Sequence, residues 1–165
     1  MISKPMISNR QLFLRHIAQT SEEPMMVEID HGKGVFLYGP DGKRYFDFIS
    51  GIAVSNVGHC APEVVAAIKE QSEKYLHSMV YGEFVLSPQV QLATRIAENL
   101  GEGLDSIFFV NSGSEAVEGG LKLAKKFTGR SHIVAMNHSY HGSTHGALSV
   151  TGAAHCARND TRGRR

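Results

Sequence analysis

Residues 107–126 read Ile-Phe-Phe-Val-Asn-Ser-Gly-Ser-Glu-Ala-Val-Glu-Gly-Gly-Leu-Lys-Leu-Ala-Lys-Lys, and no other stretch restricts the fold as strongly. Ile107 to Val110 predicts a buried strand, and the residues after the small turn predict a helix. Ser112 is placed to cap that helix, with Glu115 three residues on to reach back to it. Gly113 and Ser114 then fall in the first turn, where backbone N–H groups lack intrahelical partners and, with the helix dipole, attract an anion. Gly113 lets a ligand approach the backbone, and the Ser114 hydroxyl adds a donor. A well-capped helix without a ligand has the same local pattern, and the segment alone does not choose between the two.

The next residues narrow the choice. Gly129 supplies a helix stop, and Ser131 to Met136 predicts a second strand, so strand, helix and strand follow within about 30 residues as a parallel crossover. In such units the ligand crevice lies beyond the carboxyl ends of the strands. The turn at Asn111 to Ser114 and the loop at Asn137 to Ser143 both belong there: the first offers phosphate donors, the second Tyr140.

The run Asn111-Ser112-Gly113-Ser114-Glu115-Ala116-Val117-Glu118, with Ser139-Tyr140-His141-Gly142 after it, resembles the class III aminotransferases. Upstream, Asp41-Gly42-Lys43-Arg44-Tyr45-Phe46-Asp47, Ser50-Gly51-Ile52-Ala53-Val54 and Gly58-His59 with Pro62 are similar to that family's amino-terminal pattern in order and spacing. The resemblance runs from about Met25 to Gly152. It implies a type I α/β fold, with a mostly parallel sheet in a major lobe and a small amino-terminal α+β lobe. It also implies pyridoxal 5′-phosphate as cofactor, an amino donor and a 2-oxo acid as substrates, and a homodimer with sites at the subunit interface. On that resemblance Gly113 and Ser114 bind the cofactor phosphate and Tyr140 stacks on its ring, with Ser112 and His141 completing the cofactor set. Ser50, Ile52, Tyr81 and Ser143 are the substrate-side candidates, although core packing accounts equally well for Ile52 and Tyr81.

The family reaction needs a lysine that holds the cofactor as a Schiff base and moves a proton, and a carboxylate beside the pyridinium nitrogen. All eight lysines lie at or before Lys126, and the only acidic residue after Glu118 is Asp160. Lys122, Lys125 and Lys126 suit the dipole-favoured end of a helix, and Glu118 to Lys122 has the spacing of a surface pair. The chain as given is therefore expected not to transaminate. An arginine often follows the aromatic-His-Gly motif in the acetylornithine and 4-aminobutyrate branches, where it meets a substrate carboxylate; here that position is Ser143. Serine cannot reproduce a bidentate guanidinium, which counts against an N-acetylornithine assignment. By local resemblance, Tyr140-His141-Gly142-Ser143-Thr144 followed by Gly146-Ala147-Leu148-Ser149-Val150 looks closer to the diaminopelargonate-type and other ω-amine branches. The expected donor is an ω-amino or diamino acid.

Residues 153–165 have no period and no large apolar side chain. Four arginines without interleaved aromatics make a poor nucleic-acid tail, and a frame disruption near Thr151 to Ala154 is the preferred reading. The expected organisation is then 1–86 as small-lobe segment and connecting helix, 87–152 as the start of the cofactor-binding domain, and 153–165 as an aberrant tail. A truncated, non-catalytic module that binds the cofactor or a partner is the alternative. A net charge of +1 and 42% hydrophobic residues point to neither nucleic acid nor membrane. No apolar run approaches the ~20 residues that span a bilayer, no secretion signal is evident, and the default compartment is the cytoplasm. Cys60 and Cys156 read as unpaired thiols.

The coarser elements follow from turn chemistry. Asn9 to Ala18 predicts a short helix, and Gly34 to Tyr38 with Lys43 to Phe48 predicts a hairpin around Gly39-Pro40-Asp41-Gly42. Pro62 opens a helix to about Leu76. Pro88, behind a capping Ser87, opens another with Val90, Ala93, Ala97 and Leu100 on one face before Gly101. His138, His141 and His145 have helical spacing for zinc, but Gly142 and Gly146 favour a loop and no metal is expected. His59 is read as a turn residue in preference to a substrate contact. No glycine-rich nucleotide loop or nucleophile elbow is present.

Overall fold

The computed structural model describes residues 7–79 and 82–152; Tyr81, Cys156 and the 153–165 tail fall outside them. The chain divides into two compact units, Met1–Tyr81 and Gly82–Arg165.

The first unit opens with α1 (Asn9–His16), fixed by a full capping box between Ser8 and Gln11. A three-stranded antiparallel meander follows: β1 (His31–Lys33), β2 (Phe36–Tyr38) and β3 (Arg44–Phe46). Its central hairpin pairs Phe36 with Phe46 and Tyr38 with Arg44. The predicted turn closes it. Gly39 N–H donates to Lys43 O at 2.8 Å, and Gly42, with φ 78°, takes the left-handed position that glycine tolerates. Cross-strand aromatic contact adds to the ladder, with the Phe36 and Phe46 rings 4.5 Å apart. β1 was not legible, because Gly32 and Lys33 lack strand propensity and the strand exists through its pairing with β2.

After β3 comes α2 (Ser50–Ala53), a left-handed turn. Ser50, Gly51, Ile52 and Ala53 have φ of 47°, 61°, 63° and 61°. Left-handed backbone costs an L-residue about 1–2 kcal/mol, and for β-branched Ile52 it is a marked outlier. Asp47 opposes that cost. Its Oδ1 accepts the N–H groups of Ile49 at 3.1 Å and Ser50 at 2.8 Å, while Oδ2 lies 2.7 Å from His59 Nε2. His59 in turn exchanges two backbone hydrogen bonds with Gly34, of 2.9 and 2.7 Å, and its ring leaves no room for a Cβ on Gly32. His59 is thus a bridge residue paired with Gly34, where a turn residue was expected, and its ring braces the carboxylate that holds the left-handed turn. α3 (Pro62–Ser72) completes the unit, four residues shorter than expected.

The second unit contains α4 (Ser87–Leu100), α5 (Gly113–Thr128) and α6 (His145–Ser149). α4 starts one residue earlier than predicted. Leu86 is its N-cap, and Ser87 caps nothing; its hydroxyl accepts from the Gln91 side chain at 2.8 Å, one turn on. Within the predicted apolar stripe Ala93 and Ala97 are half-buried, but Val90 and Leu100 are exposed and Gln89 and Ile96 take their place. Residues 107–110 and 131–136 form no ladder, contrary to the expected strand–helix–strand. A strand requires a hydrogen-bonded neighbour, and a crossover's two strands need not be neighbours of each other. Among the described residues neither segment has a partner strand.

Candidate functional site

α5 begins as its sequence predicts. Ser112 is the N-cap in extended conformation, and its hydroxyl accepts the Glu115 N–H at 3.2 Å. The return half of the capping box is displaced by one residue: Glu115 Oε2 accepts the Asn111 N–H at 2.8 Å and the Asn111 side-chain amide at 3.2 Å. Gly113 and Ser114 N–H groups meet no acceptor among the described residues. A Cβ on Gly113 would meet no atom within 4 Å, so this end of the helix is open. Gly129 in left-handed conformation ends α5, its N–H donating to Lys125 O at 2.9 Å.

The loop carrying Tyr140 lies against the same helix end. Ser143 N–H donates to Ser114 Oγ at 3.3 Å, which leaves the Ser114 hydroxyl hydrogen free for an anion. The approach is close because residue 142 is glycine. A Cβ there would stand 2.8 Å from Ser114 Cβ, and Gly142 has φ 132°, which L side chains rarely adopt. Tyr140 is 62% exposed, and its hydroxyl lies 2.9 Å from Ser143 Oγ. Its aromatic face is thus available to a planar ligand while its hydroxyl end is anchored. Thr151, buried, receives the His141 N–H at 3.1 Å and donates to Ala147 O at 2.9 Å, closing the loop on itself.

These contacts join Ser112, Gly113, Ser114, Tyr140 and Ser143 in one place. His141 lines a groove with Val117, Leu121, Ile133 and Met136 along the apolar side of α5. The groove belongs to the helix's packing surface and carries no ionisable ligand set beyond that histidine. His138, His141 and His145 form no metal-holding cluster, nor does any other group among the described residues. Ser50 and Ile52 lie in the other unit, on the left-handed turn; Ile52 is 86% exposed, so core packing within that unit does not explain it.

A helix end with two free N–H groups, a serine hydroxyl and an adjacent exposed tyrosine ring suits an anionic aromatic ligand. The family model for aminotransferase class-III matches residues 17–163. The chain belongs to the class III aminotransferases. It is 44% identical over 137 residues to the acetylornithine aminotransferase of Archaeoglobus fulgidus, covering 83% of this chain and 35% of that one. Against the acetylornithine aminotransferase of Halalkalibacterium halodurans it is 47% identical over 126 residues, 76% of this chain and 32% of that one. The adenosylmethionine-8-amino-7-oxononanoate aminotransferase of Methanocaldococcus jannaschii superposes with a TM-score of 0.84 at 27% identity, over 93% of this chain and 37% of that one. The taurine:2-oxoglutarate aminotransferase of Bifidobacterium kashiwanohense, solved with PLP and glutamate, superposes with a TM-score of 0.80 at 31% identity, over 93% and 35%. The chain spans about a third of the length of these relatives.

Class III aminotransferases are PLP-dependent and share the type I fold, and this chain carries part of that fold. The donor set at α5 fits such a cofactor: a phosphate suits the open helix end, and an aromatic ring suits Tyr140. No helix among the described residues is long and apolar enough to cross a membrane.

Proposed function

We propose that this chain supplies the phosphate-binding helix and the ring-contacting loop of a PLP-dependent aminotransferase. The observation that carries the reading is the Ser143 N–H to Ser114 Oγ hydrogen bond, which brings the loop of Tyr140 to the open end of α5 within one unit. When bound, the cofactor supplies an electron sink for the carbanion formed as the carbon bearing the transferred amine loses its proton. The chain's own residues bind and orient: Gly113 and Ser114 N–H groups and the Ser114 hydroxyl hold the phosphate, and Tyr140 limits the tilt of the ring. His141 acts here through the backbone bond that its N–H makes with Thr151.

The proposed reaction moves an amino group from an ω-amino or diamino donor to a 2-oxo acid, in a cytoplasmic homodimer. Relatives named as acetylornithine aminotransferases support an ω-amino donor, and Ser143 argues against a guanidinium clamp at that position. Ser50, Ile52, Tyr81 and Ser143 remain the substrate-side candidates. We place no proton-moving lysine in this chain. At 1.5 Å rise per residue, Lys122 lies about 13 Å along α5 from Gly113, and Lys125 and Lys126 lie farther. The second reading, a non-catalytic binding module, rests on the same hydrogen bond, because binding needs only the one unit.

The test is thermal unfolding of the 165-residue chain with PLP or with pyridoxal, which lacks the phosphate. A melting temperature that rises with PLP and much less with pyridoxal supports the phosphate site. Equal shifts with both ligands, or none with either, would remove it.

A further inference from the structure

Glu118 occupies the second turn of α5, four residues after Ser114, and therefore shares its face of the helix. Its spacing from Lys122 suggests a surface ion pair, but its contacts lie elsewhere. Glu118 Oε1 accepts the Gly146 N–H at 2.7 Å and the Ala147 N–H at 3.2 Å. Thr144 is the N-cap of α6 by position yet makes no cap bond to its own helix. Glu118 takes over that function from 28 residues away in the chain. Gly146 permits the approach, since a Cβ there would come within 2.8 Å of Glu118 Cδ. Ala147, next in line, is fully buried.

α5 thus grips residues 142–147 at two points on one face, Ser114 at Ser143 and Glu118 at Gly146 and Ala147. Tyr140 precedes the first grip and is tied to Ser143 through its hydroxyl. We propose that Glu118 is a positioning residue, which holds the Tyr140 loop over the amino end of α5 so that one helix sets both the phosphate and the ring contacts. The proposal rests on the reading of Tyr140 as the ring contact. Glu118 touches neither cofactor nor substrate in this scheme. It acts through Gly146 and Ala147, with the charge-assisted bonds expected of an ionised carboxylate facing two N–H donors.

The experiment uses the whole 165-residue chain with Glu118→Gln and Glu118→Ala, and Lys122→Ala as control. Amide hydrogen exchange at Gly146 and Ala147 is read first, because it requires no ligand. Losing a charged acceptor should speed exchange at both amides about tenfold or more in Glu118→Ala, with Glu118→Gln intermediate because one carbonyl oxygen remains. The induced circular dichroism of added PLP is read second, beside the affinity for inorganic phosphate. Glu118→Ala should weaken the dichroism about threefold at saturation, yet leave phosphate affinity within about twofold, since the phosphate donors precede it on the helix. Unchanged exchange and dichroism in Glu118→Ala would overturn the proposal, as would Lys122→Ala reproducing its effects. If the parent chain binds neither PLP nor phosphate, the site reading fails by itself, and the exchange data still decide whether Glu118 holds the loop.

Discussion

Replacing Gly113 by aspartate separates helix formation from the anion binding proposed for the start of α5. Gly113 is the first residue of the helix, and a Cβ there meets no atom within 4 Å, so a side chain of this size fits without displacing anything. For the helix itself the change is mildly favourable: a carboxylate in the first turn gains about 0.3–1 kcal/mol from the dipole. For an anion at the same N–H groups it is strongly unfavourable. At about 4 Å and an effective dielectric near 20, one carboxylate repels one phosphate charge by about 4 kcal/mol before salt screening. Even half of that reduces affinity by more than about tenfold, and the full value by about a thousandfold. Gly113→Asn supplies the volume without the charge and should lose far less. Titration calorimetry with inorganic phosphate and with PLP, beside far-ultraviolet dichroism to follow helix content, gives both quantities. The expected result is intact helix content with at least about a hundredfold weaker binding in Gly113→Asp. Aspartate and asparagine variants that bind equally, within about threefold of the parent, would refute the electrostatic account of the site.

Asp47 offers a pH-dependent prediction. The Ser50 N–H first, and then His59, hold its carboxyl below the ordinary value of 3.8. A depressed folded-state pKa means that its stabilisation is present above that ordinary value and is lost as pH falls through the lower, folded one. The Ser50 and Ile49 amide shifts should therefore titrate below 3.8 and stop titrating in Asp47→Asn; titration at or above the ordinary value contradicts the brace. Gly119 and Gly120 lie inside α5 with nothing within 4 Å of an added Cβ, so each change to alanine should stabilise the unit by about 0.5–1 kcal/mol in thermal unfolding. A loss of stability in either would show that another backbone packs there. Gly142→Ala should cost about 1–3 kcal/mol, from its φ of 132° and its approach to Ser114, and should expose the Ser143 amide to exchange. An alanine variant with equal stability and protection removes the close approach from the account.

Legibility tracked the range of the interactions. Ser112, Gly113 and Gly129 act within α5 or beside it, and cap, open turn and stop could all be read from spacing. The same holds for the hairpin turn at Gly39 to Gly42. Glu118 failed the same treatment because its i,i+4 neighbour Lys122 offered a local partner, while its actual donors lie 28 and 29 residues on. The signal that could have found them was Gly142 and Gly146, spaced like Ser114 and Glu118, a pair of glycines fitted to a pair of side chains. Ser87 failed for a smaller reason: the helix took it inside, behind Leu86, and its hydroxyl turned to Gln91. The left-handed turn at Ser50 to Ala53 had no sequence signature apart from Gly51, since isoleucine and alanine avoid that backbone; the Asp47 bonds to Ile49 and Ser50 and the turn's own bonds from the Ile52 and Ala53 N–H groups to Ile49 O hold it.

The predicted strands pose a different case, because their residues have the right composition and yet form no ladder. Phe108 is 84% exposed, Val134 97%, Met136 79% and Phe127 on the outer turn of α5 89%. Among the described residues Ala147 is the only buried hydrophobic side chain. Full burial of each of those four side chains is worth about 1.5–3 kcal/mol, so together about 6–12, comparable to the entire stability of an ordinary domain. Strand formation at 107–110 and 131–136 thus depends on surface and ladder partners that the described residues do not supply, whereas relatives about three times as long have such surface to offer. The amino end of α5 does not share that dependence. Its cap and its grip on residues 142–147 are made within one unit, and its free N–H groups lie in that same unit. The anion binding proposed for α5 is therefore separable from sheet assembly, and the first can be measured without the second.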